Sequence, residues 1–329
     1  MISIALDVSG GDLPIEERIK GALFSLALEK DLSIVLVGDE QSILPILKAY
    51  HSDSSSRLRI VHTTESISMS DAPSRILKDK KMSSLAIATQ LVKDKKCQGI
   101  VSAGNTGAQM AAGIFQLGRI QGIERPGIAI TVPTDHSFCI LIDAGANPDV
   151  KTKNLLDFAK MGSIFSKTIY DIDQPKVALI NNGSEAEKGN LLNKESYPVF
   201  QKECPNFIGY IEGRDIMKGT ADVIVCDGFT GNIILKTIEG TAHSIFSHLK
   251  KGIKSSMIQK LGSLLLRKTF KSLQKKMDYR IYGGAPLLGI NGISIICHGS
   301  SDSLAIQNAL LLAVGMVKQK TIESISHFS

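Results

Sequence analysis

The sequence lacks the patterns that mark secreted, metal-binding and membrane-spanning proteins. Its five cysteines are widely spaced, and no pair has zinc-finger or redox-motif spacing, which argues against structural disulfides and a cysteine metal site. It contains no run of about 18 apolar residues, so no membrane-spanning helix is predicted. The N-terminal residues show neither the basic flank nor the long apolar core of a signal peptide. We therefore expect a soluble cytoplasmic protein that needs no metal and no cofactor.

Several familiar enzyme signatures are missing as well. There is no Walker-type phosphate loop, no G-x-G-x-x-G, no G-x-S-x-G elbow and no H-E-x-x-H. These absences argue against an ATPase, a common dinucleotide site, an α/β-hydrolase and a zincin. No internal repeat, low-complexity segment or Pro-rich linker divides the 329 residues, although two smaller domains would also fit this length. We expect residues 1–329 to form a single domain.

Short runs rich in Ile and Val alternate with longer segments of helical periodicity. Strand-like runs include Ile2–Val8, Ile128–Val132 and Val223–Val225. Repeated strand–helix–strand order predicts an α/β fold with a doubly wound, largely parallel sheet. The short link after Pro133 predicts one antiparallel hairpin within that sheet. Ligands of such folds bind where strands end and helices begin, so the turns at those points form the candidate site.

Three glycine-rich polar turns follow predicted strands in the first half of the chain. They are Asp7–Asp12, Ser102–Ala108 and Asp143–Asp149. Glycines let backbone N–H groups turn toward an anion, and a helix N-terminus adds partial positive charge. Each turn alone could be ordinary helix capping, but together they favour a crevice for phosphate and carbonyl oxygens. The candidate substrate-binding residues in these turns are Asp7, Gly10, Gly11, Asp12, Ser102, Gly104, Asn105, Thr106, Gly107, Asp143 and Asn147.

Three further turns, Asn181–Asn190, Cys226–Asn232 and His298–Asp302, repeat this pattern. A lysine near a helix N-terminus is unfavourable unless an anion is bound there, so Lys188 is a candidate; the alternative is a solvated lysine among glutamates. Asn232 offers an uncharged amide donor for an oxyanion. A histidine in such a turn suits proton transfer, phosphate binding or simple capping. The candidate substrate-binding residues here are Asp227, Thr230, Gly231, His298 and Ser300.

The net charge of +6 is concentrated in residues 240–280, which carry +9 while the remainder carries −3. This segment has helical character and is predicted to be a basic amphipathic hairpin that protrudes from the sheet. A local positive surface indicates a local anionic partner. An apolar stripe is more often internal, and two subunits could bury this one between them. Three consecutive leucines cannot all face one helical partner, so we expect both: the helix bases pack between subunits, and the tip stays exposed to contact an anionic membrane. The predicted membrane-contacting residues are Leu264, Leu265 and Leu266.

Four blocks of the sequence, in this order, resemble the bacterial phosphate acyltransferase family known as PlsX. They are Ser102–Ala108, Glu212–Ile216, Asp227–Asn232 and Tyr282–Gly289, and the resemblance covers nearly the whole chain. It implies a homodimer with a fold akin to the isocitrate and isopropylmalate dehydrogenases. It also implies transfer of a long-chain acyl group from the thioester of an acyl carrier protein to inorganic phosphate. The acyl phosphate would serve phospholipid synthesis through a downstream glycerol-3-phosphate acyltransferase.

Two positions match residues that are implicated in catalysis in that family. Lys188 matches the lysine of an E-x-x-K-G-N-type block, and Asn232 matches the last residue of D-G-F-T-G-N. Ser9 departs from the family, which usually has Met there, but the polar and glycine positions remain. Phosphate at neutral pH is already an anionic nucleophile, so we expect direct attack on the thioester, with Lys188 and Asn232 stabilising the oxyanion.

The resemblance makes an acidic acyl carrier protein the expected anionic partner, and no nucleic acid is expected. A short-chain phosphate acetyl- or butyryltransferase that uses coenzyme A is one alternative, but a small thioester needs no large basic surface. A non-catalytic, membrane-associated scaffold is another, but a scaffold has no use for Lys188, Asn232 and the glycine turns. The residues predicted to dock the carrier protein are Lys250, Lys251, Lys254, Arg267, Lys268 and Lys271.

Overall fold

A computed structural model describes residues 1–52, 55–270 and 279–328 of the chain. Within these ranges the strands belong to one mixed sheet. They are β1 (Ile2–Asp7), β2 (Leu32–Gly38), β3 (Leu58–His62), β4 (Gly99–Ser102), β5 (Gly127–Pro133), β6 (Phe138–Ile142), β7 (Val177–Ile180), β8 (Phe207–Ile211), β9 (Val223–Val225), β10 (Ala285–Leu288) and β11 (Ile293–Ile296).

The sheet contains two groups of parallel strands that run in opposite directions. Its order is β3-β2-β1-β4-β11-β10-β5-β6-β9-β7-β8. The first five strands are parallel to one another, and so are the last four. Between the groups, β10 and β5 pair antiparallel with each other and with their outer neighbours. The prediction of a largely parallel α/β sheet is confirmed, and so is the β5–β6 hairpin after Pro133.

Helices pack against both faces of the sheet. Strand side chains alternate between the two faces, as Ile4 and Leu6 lie in one apolar core and Ala5 lies in the other. The helices are α1 (Ile15–Leu28), α2 (Glu40–Ala49), α3 (Arg75–Lys78), α4 (Ser84–Lys93), α5 (Thr106–Ala112), α6 (Thr152–Tyr170), α7 (Leu191–Glu203), α8 (Gly228–Lys254), α9 (Met257–Leu265), α10 (Ser303–Lys318) and α11 (Thr321–Phe328), with a π-helical turn at Gly113–Leu117 and 3₁₀ turns at Gly213–Asp215 and Tyr279–Tyr282.

Short polar side chains start several of these helices. The side chains of Asp39, Ser83 and Asp302 accept hydrogen bonds from backbone N–H groups in the first turns of α2, α4 and α10. Such a cap satisfies a donor that has no partner within the helix, and is typically worth about 1 kcal/mol. The strand-to-helix turns are therefore held by local hydrogen bonds, which fixes the places where candidate site residues can lie.

The predicted basic segment contains the second half of α8 and all of α9. Helix α8 begins beside the sheet, where the Gly228 N–H donates to the Asn147 carbonyl oxygen at 2.7 Å, so it starts well before residue 240. The end of α8 and α9 together line an apolar cavity. Leu264, Leu265 and Leu266 are 64%, 86% and 52% exposed. No helix within the described ranges is long and apolar enough to cross a bilayer.

Candidate active site

The turn after β1 is organised from the inside by Asp7. This carboxylate is buried and accepts hydrogen bonds from the Ser9 and Gly10 N–H groups at 3.1 and 3.2 Å. It also accepts one from the Ser102 hydroxyl at 2.7 Å, and the Ser102 Oγ in turn accepts from the Gly104 N–H at 3.0 Å. Asp7 and Ser102, both predicted to bind substrate, thus tie the turns after β1 and β4 together.

Close backbone contacts explain the glycines of these turns. A Cβ on Gly10 would lie 2.7 Å from the Cα of Gly104, so the two turns could not approach if either carried a large side chain. Gly11 has φ +109°, a conformation that favours glycine. The Asp12 N–H then donates to the Gly299 carbonyl oxygen at 2.8 Å, which joins the turn after β11 to the same group.

Arg18, which sequence reasoning missed, lies beneath this group of turns. Its guanidinium is buried and donates through Nε to the Val8 carbonyl oxygen at 2.7 Å. Burial lowers the pKa of Arg18, and the nearby carboxylates of Asp7 and Asp12 act in the opposite direction. The sequence did contain a hint of this burial, because Arg18 falls on the same face of α1 as Ile15 and Ala22. An arginine on an apolar helix face indicates an internal partner.

Asn105 holds a neighbouring loop in place. Its Oδ1 accepts from the Ala108 N–H at 3.0 Å and so caps α5. Its Nδ2 lies within 3.2 Å of three carbonyl oxygens, those of Ser68, Met69 and Asp71. The whole amide is thereby occupied. Gly107 belongs to the same contact, because a Cβ there would lie 2.6 Å from Pro73 Cγ.

A second buried aspartate organises the turn after β6. Asp143 is fully buried, and its Oδ1 accepts from the N–H groups of Ile128, Gly145 and Ala146 at 2.8–3.1 Å. Its Oδ2 accepts from both the backbone N–H and the side-chain amide of Asn147, at 2.7 and 2.8 Å. Burial raises the pKa of Asp143, and these donors act in the opposite direction. Asp143 and Asn147 satisfy each other's hydrogen bonds within the turn.

The next turn, after β9, starts α8 and packs onto the Asp143 turn. Asp227 caps the helix, accepting from the Thr230 N–H and the Thr230 hydroxyl, both at 2.8 Å. A Cβ on Gly231 would clash with the Asp143 carbonyl oxygen, so glycine is required for this close approach. Asn232 follows on the exposed side of the first turns of α8, and its Cβ lies 3.5 Å from the position of a Cβ on Gly145.

Residues from both halves of the sheet line one cavity of about 630 Å³. Thr106 and His298 come from the turns after β4 and β11, whereas Ala144 and Asn232 come from the turns after β6 and β9. Much of the remaining wall is apolar and is formed by β5, α8 and the start of β10. These apolar residues are Ile128, Ile130, Val132, Pro133, Leu235, Ile238, Ala242, Phe246 and Ala285.

The hydrogen bonds of His298 fix its tautomer. The Ser300 N–H donates to His298 Nδ1 at 3.1 Å, and the Ser300 hydroxyl lies 2.8 Å from the same nitrogen. Because an N–H group can only donate, Nδ1 acts as the acceptor, and the proton of the neutral ring is on Nε2. Ser300 therefore orients His298 within the turn, and His298 is the member of this pair that lines the cavity.

Lys188 lies on the turn after β7, at the same edge of the sheet as the turns after β6 and β9. Helix α7 begins at Leu191 with Asn190 as its cap, so Lys188 precedes the helix instead of starting it. Its side chain is exposed and lies beside Gly183, and it is not among the described residues that line the cavity. The structure brings Asn232, Thr106 and His298 to one cavity and leaves Lys188 outside it.

The one cysteine in the cavity wall is a poor nucleophile. Cys297 lines the cavity but is buried, and burial raises the pKa of its thiol to about 12. Cys226, behind the Asp143 turn, is fully enclosed, and burial raises its pKa well above the ordinary value. Thiolates, and not thiols, attack carbonyl carbons. At neutral pH neither cysteine is suited to forming an acyl-enzyme.

Comparisons with known proteins agree with this architecture. A family described as "Fatty acid synthesis protein" matches residues 2–324. Phosphate acyltransferase from Heliobacterium modesticaldum is 48% identical, covering 98% of this chain and 96% of its own length. Phosphate acyltransferase from Desulfitobacterium hafniense is 47% identical over 98% of this chain and 96% of its own.

Among solved structures, a phosphotransacetylase from Streptococcus pyogenes superposes with a TM-score of 0.62 at 17% identity, covering 98% of this chain and 94% of that one. The EutD phosphotransacetylase from Staphylococcus aureus gives a TM-score of 0.61 at 16% identity, with 96% and 94% covered. At such identities the likeness concerns the fold alone. The family match and the near full-length relatives confirm the resemblance seen in the sequence, and the chain belongs to the phosphate acyltransferase family.

Proposed function

We propose that this chain transfers a long-chain acyl group from the thioester of an acyl carrier protein to inorganic phosphate, and so supplies acyl phosphate for phospholipid synthesis. The observation that carries this proposal is the cavity of about 630 Å³, whose largely apolar wall ends at the uncharged amide of Asn232. An acetyl group needs far less apolar space. Membership of the phosphate acyltransferase family supports phosphate as the acceptor.

The chemistry follows from the groups that face the cavity. An oxygen of phosphate attacks the thioester carbonyl carbon, the C–S bond breaks, and the pantetheine sulfur leaves as a thiolate. The Asn232 amide donates a hydrogen bond to the oxyanion, a contribution of roughly 3 kcal/mol for one such donor. Direct attack fits the protonated state of Cys297.

Lys188 is proposed to balance the charge of phosphate and oxyanion. It lies outside the cavity wall, but its exposed side chain forms no ion pair with a described residue. A lysine has a flexible four-carbon stem, so its ammonium group is free to turn toward a bound anion. Thr106 and His298 are the further candidates for phosphate contact from the other half of the sheet.

The basic end of α8 is proposed to dock the carrier protein. Three exposed lysines lie near the end of α8, and two exposed basic residues lie beyond α9: Lys250, Lys251, Lys254, Arg267 and Lys268. Lys271 lies outside the described residues. Such a surface attracts an acidic partner and speeds its association.

The exposed leucines at 264–266 are proposed to contact an anionic membrane, which makes the chain a cytoplasmic protein with peripheral membrane association. Their exposure beside basic residues is typical of an interfacial helix. Flotation with anionic liposomes tests this, with Leu265→Glu as the variant that should stay at the bottom of the gradient. A parent protein that never floats would refute membrane contact.

The family resemblance also supports three finer proposals. The fold is akin to that of the isocitrate and isopropylmalate dehydrogenases, with an added basic helical hairpin. The chain forms a homodimer, and its product passes to a glycerol-3-phosphate acyltransferase. The phosphotransacetylase neighbours share the fold but do not decide these points. Analytical ultracentrifugation checks the dimer directly, since a single species of monomer mass at micromolar concentration would exclude it.

The activity is tested by incubating the purified chain with palmitoyl-carrier protein and phosphate, and measuring acyl phosphate as its hydroxamate. We expect phosphate-dependent product and release of the free carrier thiol. Acetyl-coenzyme A in place of the carrier substrate serves as the comparison. Turnover with acetyl-coenzyme A alone would favour the short-chain alternative, and no turnover with either donor would refute the proposal.

A further inference from the structure

We infer that the apolar part of the cavity between β5 and α8, called the trough below, binds the acyl chain. We also infer that Ala242 sets the longest acyl chain that the trough accepts. This inference rests on the proposed function and adds the specificity-determining position. The trough is the apolar part of the cavity that ends at Asn232. A thioester carbonyl held at Asn232 would place its chain against this trough.

One wall of the trough is the face of β5. Ile128, Ile130 and Val132 line the cavity from alternate positions of the strand, and Thr131 and Pro133 line it near the strand's end. From Ile128 to Val132 the strand rises by roughly 13 Å at about 3.3 Å per residue. The Ile128 end lies next to the Asp143 turn, because the Ala144 N–H donates to the Ile128 carbonyl oxygen at 2.9 Å. The strand thus leads away from the proposed carbonyl site.

The facing wall is one side of α8. Asn232, Leu235, Ile238, Ala242 and Phe246 line the cavity at intervals of three and four. The polar residues Lys236, Glu239 and His243 line it beside this stripe. At 1.5 Å per residue, Ala242 lies about 15 Å along the helix from Asn232 and Phe246 about 21 Å. The hydrocarbon of one bilayer leaflet is about 15 Å thick, half of the usual 30 Å core. A long acyl chain of membrane lipids would therefore reach the turn that carries Ala242.

Ala242 has the smallest side chain among the α8 residues that line the trough. Side chains on a helix lean toward its N-terminus, so a larger group at 242 would cover the preceding turn on the Asn232 side. It would shorten the trough by about one turn, 5.4 Å, or roughly four methylene groups. Each methylene kept out of apolar contact weakens binding by about fourfold. A ring at this position should thus discriminate strongly against long chains.

The experiment compares kcat/KM for palmitoyl-, lauroyl- and octanoyl-carrier protein in the full chain, in Ala242→Phe and in Thr241→Phe. Thr241 is exposed and lies outside the lining, so it places the same ring on another side of the helix. We expect the palmitoyl-to-octanoyl ratio to fall on the order of 100-fold in Ala242→Phe, and to stay unchanged in Thr241→Phe. An unchanged ratio in Ala242→Phe, or an equal fall in both variants, overturns the inference.

Phe246→Ala provides a second variant in the opposite direction, in case Ala242→Phe does not fold. Phe246 is partly buried at the far end of the trough, and its removal should extend the accepted length. We expect the stearoyl-to-lauroyl ratio to rise by several-fold in Phe246→Ala, and a ratio equal to that of the parent would overturn the inference. A parent chain inactive with every acyl donor would refute the proposed function itself, which separates the two failures.

Discussion

The insides of the turns and the wall of the cavity use polar residues in different ways. Asp7 is the last residue of β1 and Asp143 directly follows β6, in the two opposed halves of the sheet, and each buried carboxylate accepts several hydrogen bonds from the surrounding turns. Asn232 and Thr106 lie a few residues along the chain from such turns and are exposed to the cavity. The two sets look alike in a sequence. The structure distinguishes them: the buried aspartates hold the turns in place, whereas the exposed Asn232 and Thr106 are available to a ligand.

The largest expected effect of this difference is on stability. Asp143→Ala would leave four backbone N–H groups and the Asn147 amide without their buried acceptor, so we expect a loss of at least about 3 kcal/mol. Chemical denaturation measures it. Asp149→Ala, an exposed position just beyond the same turn, should change stability by no more than about 0.5 kcal/mol. Equal effects in the two variants would show that Asp143 does not organise the turn.

Asn232→Ala should show the opposite behaviour. The side chain is exposed and makes no hydrogen bond to any described residue, so its loss should leave the melting temperature nearly unchanged. Without its donor to the oxyanion, kcat should fall on the order of 100-fold. If Asn232→Ala turns over near the parental rate, the cavity is not the reaction site.

Lys188→Ala should lower turnover as well, with a rise in KM for phosphate as its separate signature.

A moderate effect is expected from the basic surface of the hairpin segment. Raising salt from about 50 to 300 mM shortens the Debye length from roughly 14 to 6 Å. The KM for acyl-carrier protein should then rise several-fold, and Lys250→Glu or Lys268→Glu should raise it at low salt. Lys48→Glu, on the exposed end of α2, is the matched control. A KM that responds equally to all three reversals would place the docking surface elsewhere.

The smallest effect is expected at Cys297, which lines the cavity without serving as a nucleophile. Burial raises the pKa of its thiol to about 12, so the thiol stays protonated at pH 8. Cys297→Ala should therefore keep kcat within about threefold, and alkylation at pH 8 should leave the native enzyme active. Trapping of an acyl group on Cys297 by mass spectrometry would contradict direct attack by phosphate.

The sequence predicted the local structure better than the long-range arrangement. The β5–β6 hairpin followed from the short turn after Pro133, whereas β10 was missed because Pro286 and flanking glycines leave it only a few apolar residues. The opposed directions of the two strand groups depend on β10, so they could not be foreseen. Nor could the face of α8 that meets β5, since it depends on contacts between distant segments. The burial of Arg18 had a signal in its helical spacing, but its acceptor, the Val8 carbonyl oxygen, follows only from the packing of α1 against the turn after β1.

The most direct test of the account is to locate the acyl chain itself. A palmitoyl-carrier substrate with a photoreactive group near the chain terminus would be activated on the enzyme, and the modified peptides mapped by mass spectrometry. We expect labels on the trough, within residues 128–133 and 235–246, and their loss in Ala242→Phe. Labels concentrated instead on the separate apolar cavity between α8 and α9, at Leu249, Ile253 or Leu266, would contradict it.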